Sequence, residues 1–288
     1  MCSRFVGVAG WLKNSFIDFP GTVSTVLFYS GCNLRCPYCH NPGLLLNSDS
    51  EDFKRGSDRM PDGGMRDPSL APARPAERAD LPLPPLRGEN PPQRPPDEIP
   101  LDIADASMNC SILNFLESRK HLMEGVVFSG GEPTLHSTLE EDVEMVRRIG
   151  YKIKLDTNGL LPGMVQQINP DYLAVDIKTI PSLYPVLLAS PYGDVERRLR
   201  DTLKIVKAMG KNAEVRITVA PGIVDRSIIM QIGELVQGVA RLFLQPMQQR
   251  VPLLDPAYST RELIPANEIA DYRDILSEYV AQCGIRGA

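Results

Sequence analysis

The sequence predicts an α/β protein with a parallel sheet and helices packed outside it. Three observations carry that prediction. Short β-branched runs alternate six times with amphipathic stretches, and the chemically unusual residues fall where the predicted strands end. Setting aside one proline-rich segment leaves about 230 residues, a size that one α/β domain fills.

In chain order, strands are expected at 23–29, 125–129, 152–156, 172–178, 213–220 and 241–245. Each is short and rich in Val, Ile, Leu or aromatic residues, as a strand covered on both faces should be. Amphipathic helices are expected at 107–122, 139–149, 162–168, 195–209, 227–238 and 266–282. Strands that alternate with crossover helices must run parallel, although periodicity alone leaves an open sheet and a partly closed barrel equally possible.

The segment 47–100 holds twelve of the 26 prolines, one aromatic residue (Phe53) and one β-branched residue (Ile99). It cannot bury enough apolar surface to offset its ordering entropy and is expected to be a disordered insertion. The expected organisation is therefore a first part at 1–46, the insertion at 47–100 and the remainder at 101–288. Eight basic against eleven acidic residues give the insertion −3 of the total charge of −5.

A composition of 43% hydrophobic and 23% charged residues excludes a wholly disordered or collagen-like chain. Net charge −5 and pI near 5.4 argue against nucleic-acid binding, which needs clustered Lys and Arg. No apolar run approaches the roughly 18 residues that span a bilayer. The apolar stretch at 5–12 lacks a small-residue cleavage site, so a cytoplasmic location is expected. In a reducing compartment, cysteines at 2, 32, 36, 39, 110 and 283 suggest metal ligands or free thiols rather than disulfides.

Cys32, Cys36 and Cys39 lie within eight residues just past the first predicted strand, in the run CNLRCPYCHN. Three thiols so spaced favour a thiophilic metal centre. Zinc with His40 as fourth ligand, a haem attached through the CxxCH at 36–40, and a [4Fe–4S] cluster with one open iron all fit the spacing. Haem leaves Cys32 unexplained. A closed zinc site leaves the polar clusters at the other strand ends without a purpose, namely Gly130, Gly131 and Glu132, then Asp156, Thr157 and Asn158, then Asp176 and Lys178. Such strand ends are where α/β proteins assemble ligand sites. An open iron that needs a chelating ligand, and protein groups to hold it, accounts for all of them.

The run CNLRCPYCHN resembles the CxxxCxxC motif of radical S-adenosylmethionine (SAM) enzymes, in particular the branch that activates glycyl-radical enzymes. Ser129-Gly130-Gly131-Glu132-Pro133, Asp156-Thr157-Asn158-Gly159 and Val175-Asp176-Ile177-Lys178 resemble that family's GGE, DTNG and DxK segments. Phe16-Ile17-Asp18-Phe19-Pro20-Gly21 is most similar to activating proteins of anaerobic ribonucleoside-triphosphate reductase. It departs from the Asp-Gly-Pro-Gly of pyruvate formate-lyase activators. The resemblance covers nearly all of the chain except 47–100.

The resemblance implies a partial (β/α)6 barrel of the radical SAM type, one [4Fe–4S] cluster and SAM as cofactors, and removal of a hydrogen from a backbone glycine of a partner enzyme. That partner is expected to be a class III anaerobic ribonucleotide reductase, with a pyruvate formate-lyase-type enzyme as the alternative, and flavodoxin or ferredoxin as electron donor. Cys32, Cys36 and Cys39 would hold three irons. Carbonyls of Gly130 and Gly131 would take the SAM ammonium, Lys178 its carboxylate, with Glu132 and Asn158 also in the cofactor set. Asp156, Thr157, the Val175 carbonyl and Asp176 would bind a monovalent cation.

Tyr38 would lie near the adenine or cover the cluster. Arg216, inside a strand, should pair with a carboxylate or with the ligand, and the ligand is favoured. Asp18 would help to recognise the partner. Cys110 and Cys283 are expected to pack within helices, and His121 and His136 to lie on the surface. The other readings are a radical SAM enzyme acting on a small molecule and a zinc-binding interaction protein.

Overall fold

Eight strands form one sheet in the order of the chain: β1 Val8–Ser15, β2 Ser24–Tyr29, β3 Gly125–Gly130, β4 Lys152–Thr157, β5 Tyr172–Asp176, β6 Ala213–Val219, β7 Leu242–Pro246 and β8 Cys283–Ile285. The computed structural model describes residues 5–45 and 106–287, so the insertion expected at 47–100 lies outside the described residues. β1 pairs antiparallel with β2, and every later pairing is parallel. The two end strands each have one neighbour, so the sheet is open and forms a partial barrel.

The six predicted strands are present with ends shifted by at most two residues. Helices α1 Ala106–Arg119, α2 Leu139–Ile149, α3 Pro162–Ile168, α4 Val195–Met209, α5 Ile229–Val236 and α6 Ala266–Leu276 supply the crossovers. Local chemistry sets their ends. Pro162 starts α3 where a missing N–H costs nothing, and the Asp194 carboxylate caps α4 by accepting from Arg197 N at 3.0 Å.

Two edge strands were not foreseen. The stretch at 5–12 had only its apolar character to show, but it forms most of β1, whose Trp11 ring meets Phe115 of α1 edge-on at 4.8 Å. At the other edge the last helix ends at Leu276 instead of running to 282. The chain then turns, with Leu242 N donating to Gln282 O, and adds β8 to β7. This corrects the placement of Cys283, which lies in a strand. Cys110 is on a helix as expected, yet exposed. His136 is not a simple surface residue: its ring lies 5.0 Å from Tyr29 and Nε2 is 2.7 Å from Ser30 O.

Side chains alternate between two very different faces. The outward set, including Leu27, Phe128, Ile153, Leu155, Leu173, Val175, Val215, Ile217 and Leu244, packs with the helices in the main core. The inward set is apolar only near the strand starts, where Phe19, Val26, Val127 and Tyr172 form a small separate cluster. Further along the same face stand Lys154 and Asp156 of β4, Asp176 of β5 and Arg216 of β6, while Glu214, near the start of β6, accepts from the Tyr172 hydroxyl. An inner face that turns from apolar to charged toward the strand ends sets up a polar site at that rim.

Candidate active site

β2 delivers the cysteine loop to the rim, and three segments hold it there. Gly31 N donates to Leu44 O at 2.7 Å; Arg35 N donates to Leu187 O at 2.6 Å and Ala189 N to Asn33 O at 2.9 Å; Asp255 N donates to Pro37 O at 2.9 Å. The Arg35 guanidinium folds back onto the carbonyl of Cys32 at 2.7 Å. Cys32 and Cys36 are buried and Cys39 is half-buried. Burial pushes the Cys32 thiol up to about 12, with Glu132 adding to it, and the Cys36 thiol up to about 11.

The end of β3 fits against this loop through backbone alone. Gly130 has φ +120°, and a Cβ there would meet Tyr29 N at 2.3 Å; one on Gly131 would meet Gly31 O at 1.9 Å. The close approach lets Gly131 N bond Tyr29 O and Glu132 N bond Gly31 O, both at 2.9 Å. These two glycines are thus required by contact with the cysteine loop.

The Glu132 carboxylate, expected in the cofactor set, is engaged inside the protein by four donors. Oε1 accepts from Thr134 N at 3.2 Å, Thr134 Oγ1 at 2.5 Å and Thr157 Oγ1 at 2.8 Å, and Oε2 accepts from Asn158 N at 2.6 Å. Burial pushes its carboxyl up despite these donors. Asn158 is tied to the cysteine loop: Nδ2 donates to Asn33 Oδ1 at 2.7 Å, while Oδ1 accepts from Leu160 N at 3.1 Å.

Between Asp156 and Asp176 lies the guanidinium of Arg216. It meets Asp176 twice, Nε to Oδ1 at 2.7 Å and Nη2 to Oδ2 at 3.2 Å, and reaches Asp156 Oδ2 from Nη1 at 3.4 Å. Lys178 Nζ lies 3.3 Å from Asp176 Oδ2. Burial opposes the charge of Asp176, but Arg216 and Lys178 together hold its carboxyl well below the usual range. Arg216 thus meets carboxylates, one of the two kinds of partner expected for it, and places positive charge between the two aspartates. Thr157 does not join them, since its hydroxyl donates to Glu132 and accepts from Gly159 N at 3.1 Å.

Lys154 was missed by sequence reasoning. Its side chain is 2% exposed and paired with Asp156. The available signal was a lysine two positions before Asp156 in a strand, hence on the same face. Lys154, Asp156, Arg216, Asp176 and Lys178 form one row of alternating sign across three strands. Asp18 is not brought to this site. It precedes β2, whose far end carries the cysteines, so about 20 Å of strand separates the two. There it accepts from the Ser15 hydroxyl.

The loop suits an iron–sulfur cluster. It offers three thiols, and Leu34 N already points at Cys32 Sγ at 3.4 Å. Among the described residues the buried amide Nδ2 of Asn33 has no hydrogen-bond partner, and the buried hydroxyl of Tyr38 is directed at the Cys36 thiol short of full hydrogen-bond geometry. Among the described residues no three Cys, His, Asp or Glu side chains stand close enough to share one ion. A cluster gives each thiolate its own iron and needs no such common point.

Comparison with known proteins agrees with this rim geometry, since residues 111–230 match the model of the Radical SAM superfamily. The chain carries a radical SAM domain. The matched stretch contains the loops after β3, β4 and β5 together with Arg216, whereas the cysteine loop precedes it. Radical SAM enzymes use a [4Fe–4S] cluster and SAM, and these are the cofactors of this domain.

A candidate glycyl-radical enzyme activating enzyme of Methanocaldococcus jannaschii is 25% identical over 97% of this chain and 95% of its own length. The 7-carboxy-7-deazaguanine synthase of Methanopyrus kandleri is 26% identical over 80% of this chain and 73% of its own. The pyruvate formate-lyase-activating enzyme of Clostridium pasteurianum is 22% identical over 77% and 73%. Among the described residues no helix is long and apolar enough to cross a membrane.

Proposed function

We propose that this radical SAM enzyme activates a glycyl-radical enzyme by removing a hydrogen atom from one of its backbone glycines, with a class III anaerobic ribonucleotide reductase as partner and flavodoxin or ferredoxin as electron source. The observation that carries the reading is the end-to-end similarity to the Methanocaldococcus protein, which takes in both the cysteine loop and the radical SAM domain. The cluster and SAM, once bound and reduced, supply a 5′-deoxyadenosyl radical.

In this reading Cys32, Cys36 and Cys39 hold the cluster and leave one iron for SAM. Lys178, at the open side of the charged row, presents its ammonium to the SAM carboxylate. The row of three cations and two carboxylates carries a net single positive charge, which matches that carboxylate. Carbonyls at Gly130 and Gly131 take the SAM ammonium, and Tyr38 covers the cluster from solvent. Arg216 removes the need for a monovalent cation at Asp156 and Asp176. SAM cleavage is therefore expected to proceed equally in sodium, potassium or tetramethylammonium buffer, as measured by 5′-deoxyadenosine formation.

The similarity to 7-carboxy-7-deazaguanine synthase favours a second reading, a small-molecule substrate. The two separate when the anaerobically reconstituted protein is reduced with SAM and a co-expressed class III reductase. A glycyl doublet in the EPR spectrum is expected. Brisk deoxyadenosine formation with no doublet on any glycyl-radical partner contradicts the proposal and favours a small substrate. Cys32→Ala, Cys36→Ala and Cys39→Ala are each expected to abolish the cluster's visible absorbance and the product.

A further inference from the structure

We propose that Asn33 Nδ2 and Tyr38 Oη are hydrogen-bond donors to the sulfur atoms of the iron–sulfur cluster and raise its reduction potential. The inference rests on the loop holding that cluster and goes beyond it, by assigning two side chains that ligate nothing.

Three buried side-chain polar atoms lack a partner among the described residues: Ser24 Oγ, Asn33 Nδ2 and Tyr38 Oη. Ser24 begins β2 at the far rim, whereas the other two lie within the cysteine loop. A buried donor left unsatisfied costs about 1–3 kcal/mol. Two such losses within six residues of chain point to an acceptor that binds there.

The amide of Asn33 is oriented by its neighbours. Leu160 N donates to Asn158 Oδ1, which turns Asn158 Nδ2 toward Asn33 Oδ1 and leaves Asn33 Nδ2 as the unpaired end. Cys32 Sγ is adjacent, 4.0 Å from both Asn33 Oδ1 and Asn158 Nδ2. Tyr38 is 4% exposed. The polar groups around its hydroxyl are Cys36, Tyr184 and Asp176, and the one it is directed at is the Cys36 thiol, short of full hydrogen-bond geometry. Each of the two buried cysteines thus has one unpaired donor beside it, and the half-buried Cys39 has none.

Sulfide and thiolate sulfurs carry negative charge that grows on reduction. A donor held against them favours the reduced cluster, as it does at other iron–sulfur sites. No electron or proton changes place in this role, so both residues are positioning residues rather than catalytic ones.

The test measures the cluster's reduction potential in the full-length reconstituted protein without SAM, for wild type, Tyr38→Phe and Asn33→Ala, each with its iron and sulfide content. Removing one donor is expected to disfavour reduction about tenfold, a shift of about 59 mV to more negative potential for a one-electron couple. Proton ENDOR of the reduced cluster should also lose one exchangeable coupling in Tyr38→Phe. If Asn33→Ala fails to fold, Tyr38→Phe alone decides, since it deletes one atom. An unchanged potential with an unchanged ENDOR pattern at full cluster content overturns the proposal, and weakened SAM binding alone assigns these donors to SAM and overturns it as well. Absence of any cluster in wild type overturns the underlying reading instead.

Discussion

Glu132 shows how one buried side chain sets the spacing of the rim. Its four accepted hydrogen bonds join the loop after β3 to the loop after β4, and a Gln would turn an N–H group toward donors. Glu132→Gln is expected to cost about 1–3 kcal/mol in urea unfolding. Arg216 plays a comparable part with opposite charge. Arg216→Met leaves Asp156 and Asp176 facing each other, and a loss of about 3–5 kcal/mol is expected from the same measurement. The pH dependence follows from the direction of the Asp176 shift. Its folded value is depressed, so its contribution is fully present above the unfolded carboxyl value of about 3.9 and is lost as pH falls toward the folded one. Asp176→Asn should therefore lose stability at pH 7 and show a shallower decline below about pH 4, as read from urea midpoints.

At the scale of elements, an ion pair ties the C-terminal edge to the middle of the sheet. Arg286 follows β8 and grips Glu214 of β6 with Nη1 to Oε1 at 2.7 Å and Nη2 to Oε2 at 2.8 Å, while its guanidinium lies 3.5 Å from the Phe243 ring centroid. Among the described residues, Arg286→Ala leaves Glu214 the hydroxyl of Tyr172 at 2.7 Å as its side-chain hydrogen-bond donor. Because Arg286 is 37% exposed, the expected loss is about 2 kcal/mol, less than for a fully buried pair. A change in urea midpoint with unaltered slope checks it. What could be read in advance divides along the same line. The six central strands and the cysteine, Gly-Gly-Glu, Asp-Thr-Asn and Asp-Ile-Lys segments show themselves by local spacing. β1, β8 and the partners of Asn33, Arg216 and Glu214 depend on which strands become neighbours. That register is a property of the folded sheet, so residues such as Asn33 and Asn158, 125 positions apart, carry no local mark of their contact.

Across the whole molecule, the described residues complete a sheet, its helical cover and the charged rim without the segment at 47–100. Deleting residues 48–96 is expected to leave the melting temperature, cluster content and SAM cleavage unchanged in the reconstituted protein. Loss of the cluster on that deletion would make the segment part of the fold. More than half of the net charge lies in the same segment, so the remainder is close to neutral, a balance that permits docking of another protein without strong long-range repulsion. The central claim is that the hydrogen removed comes from a glycine of a protein partner. The most direct measurement incubates the reduced enzyme and SAM with a class III ribonucleotide reductase labelled with α-deuterated glycine, then weighs the 5′-deoxyadenosine. One deuterium per molecule is predicted, and deoxyadenosine that stays unlabelled while it accumulates would contradict the account.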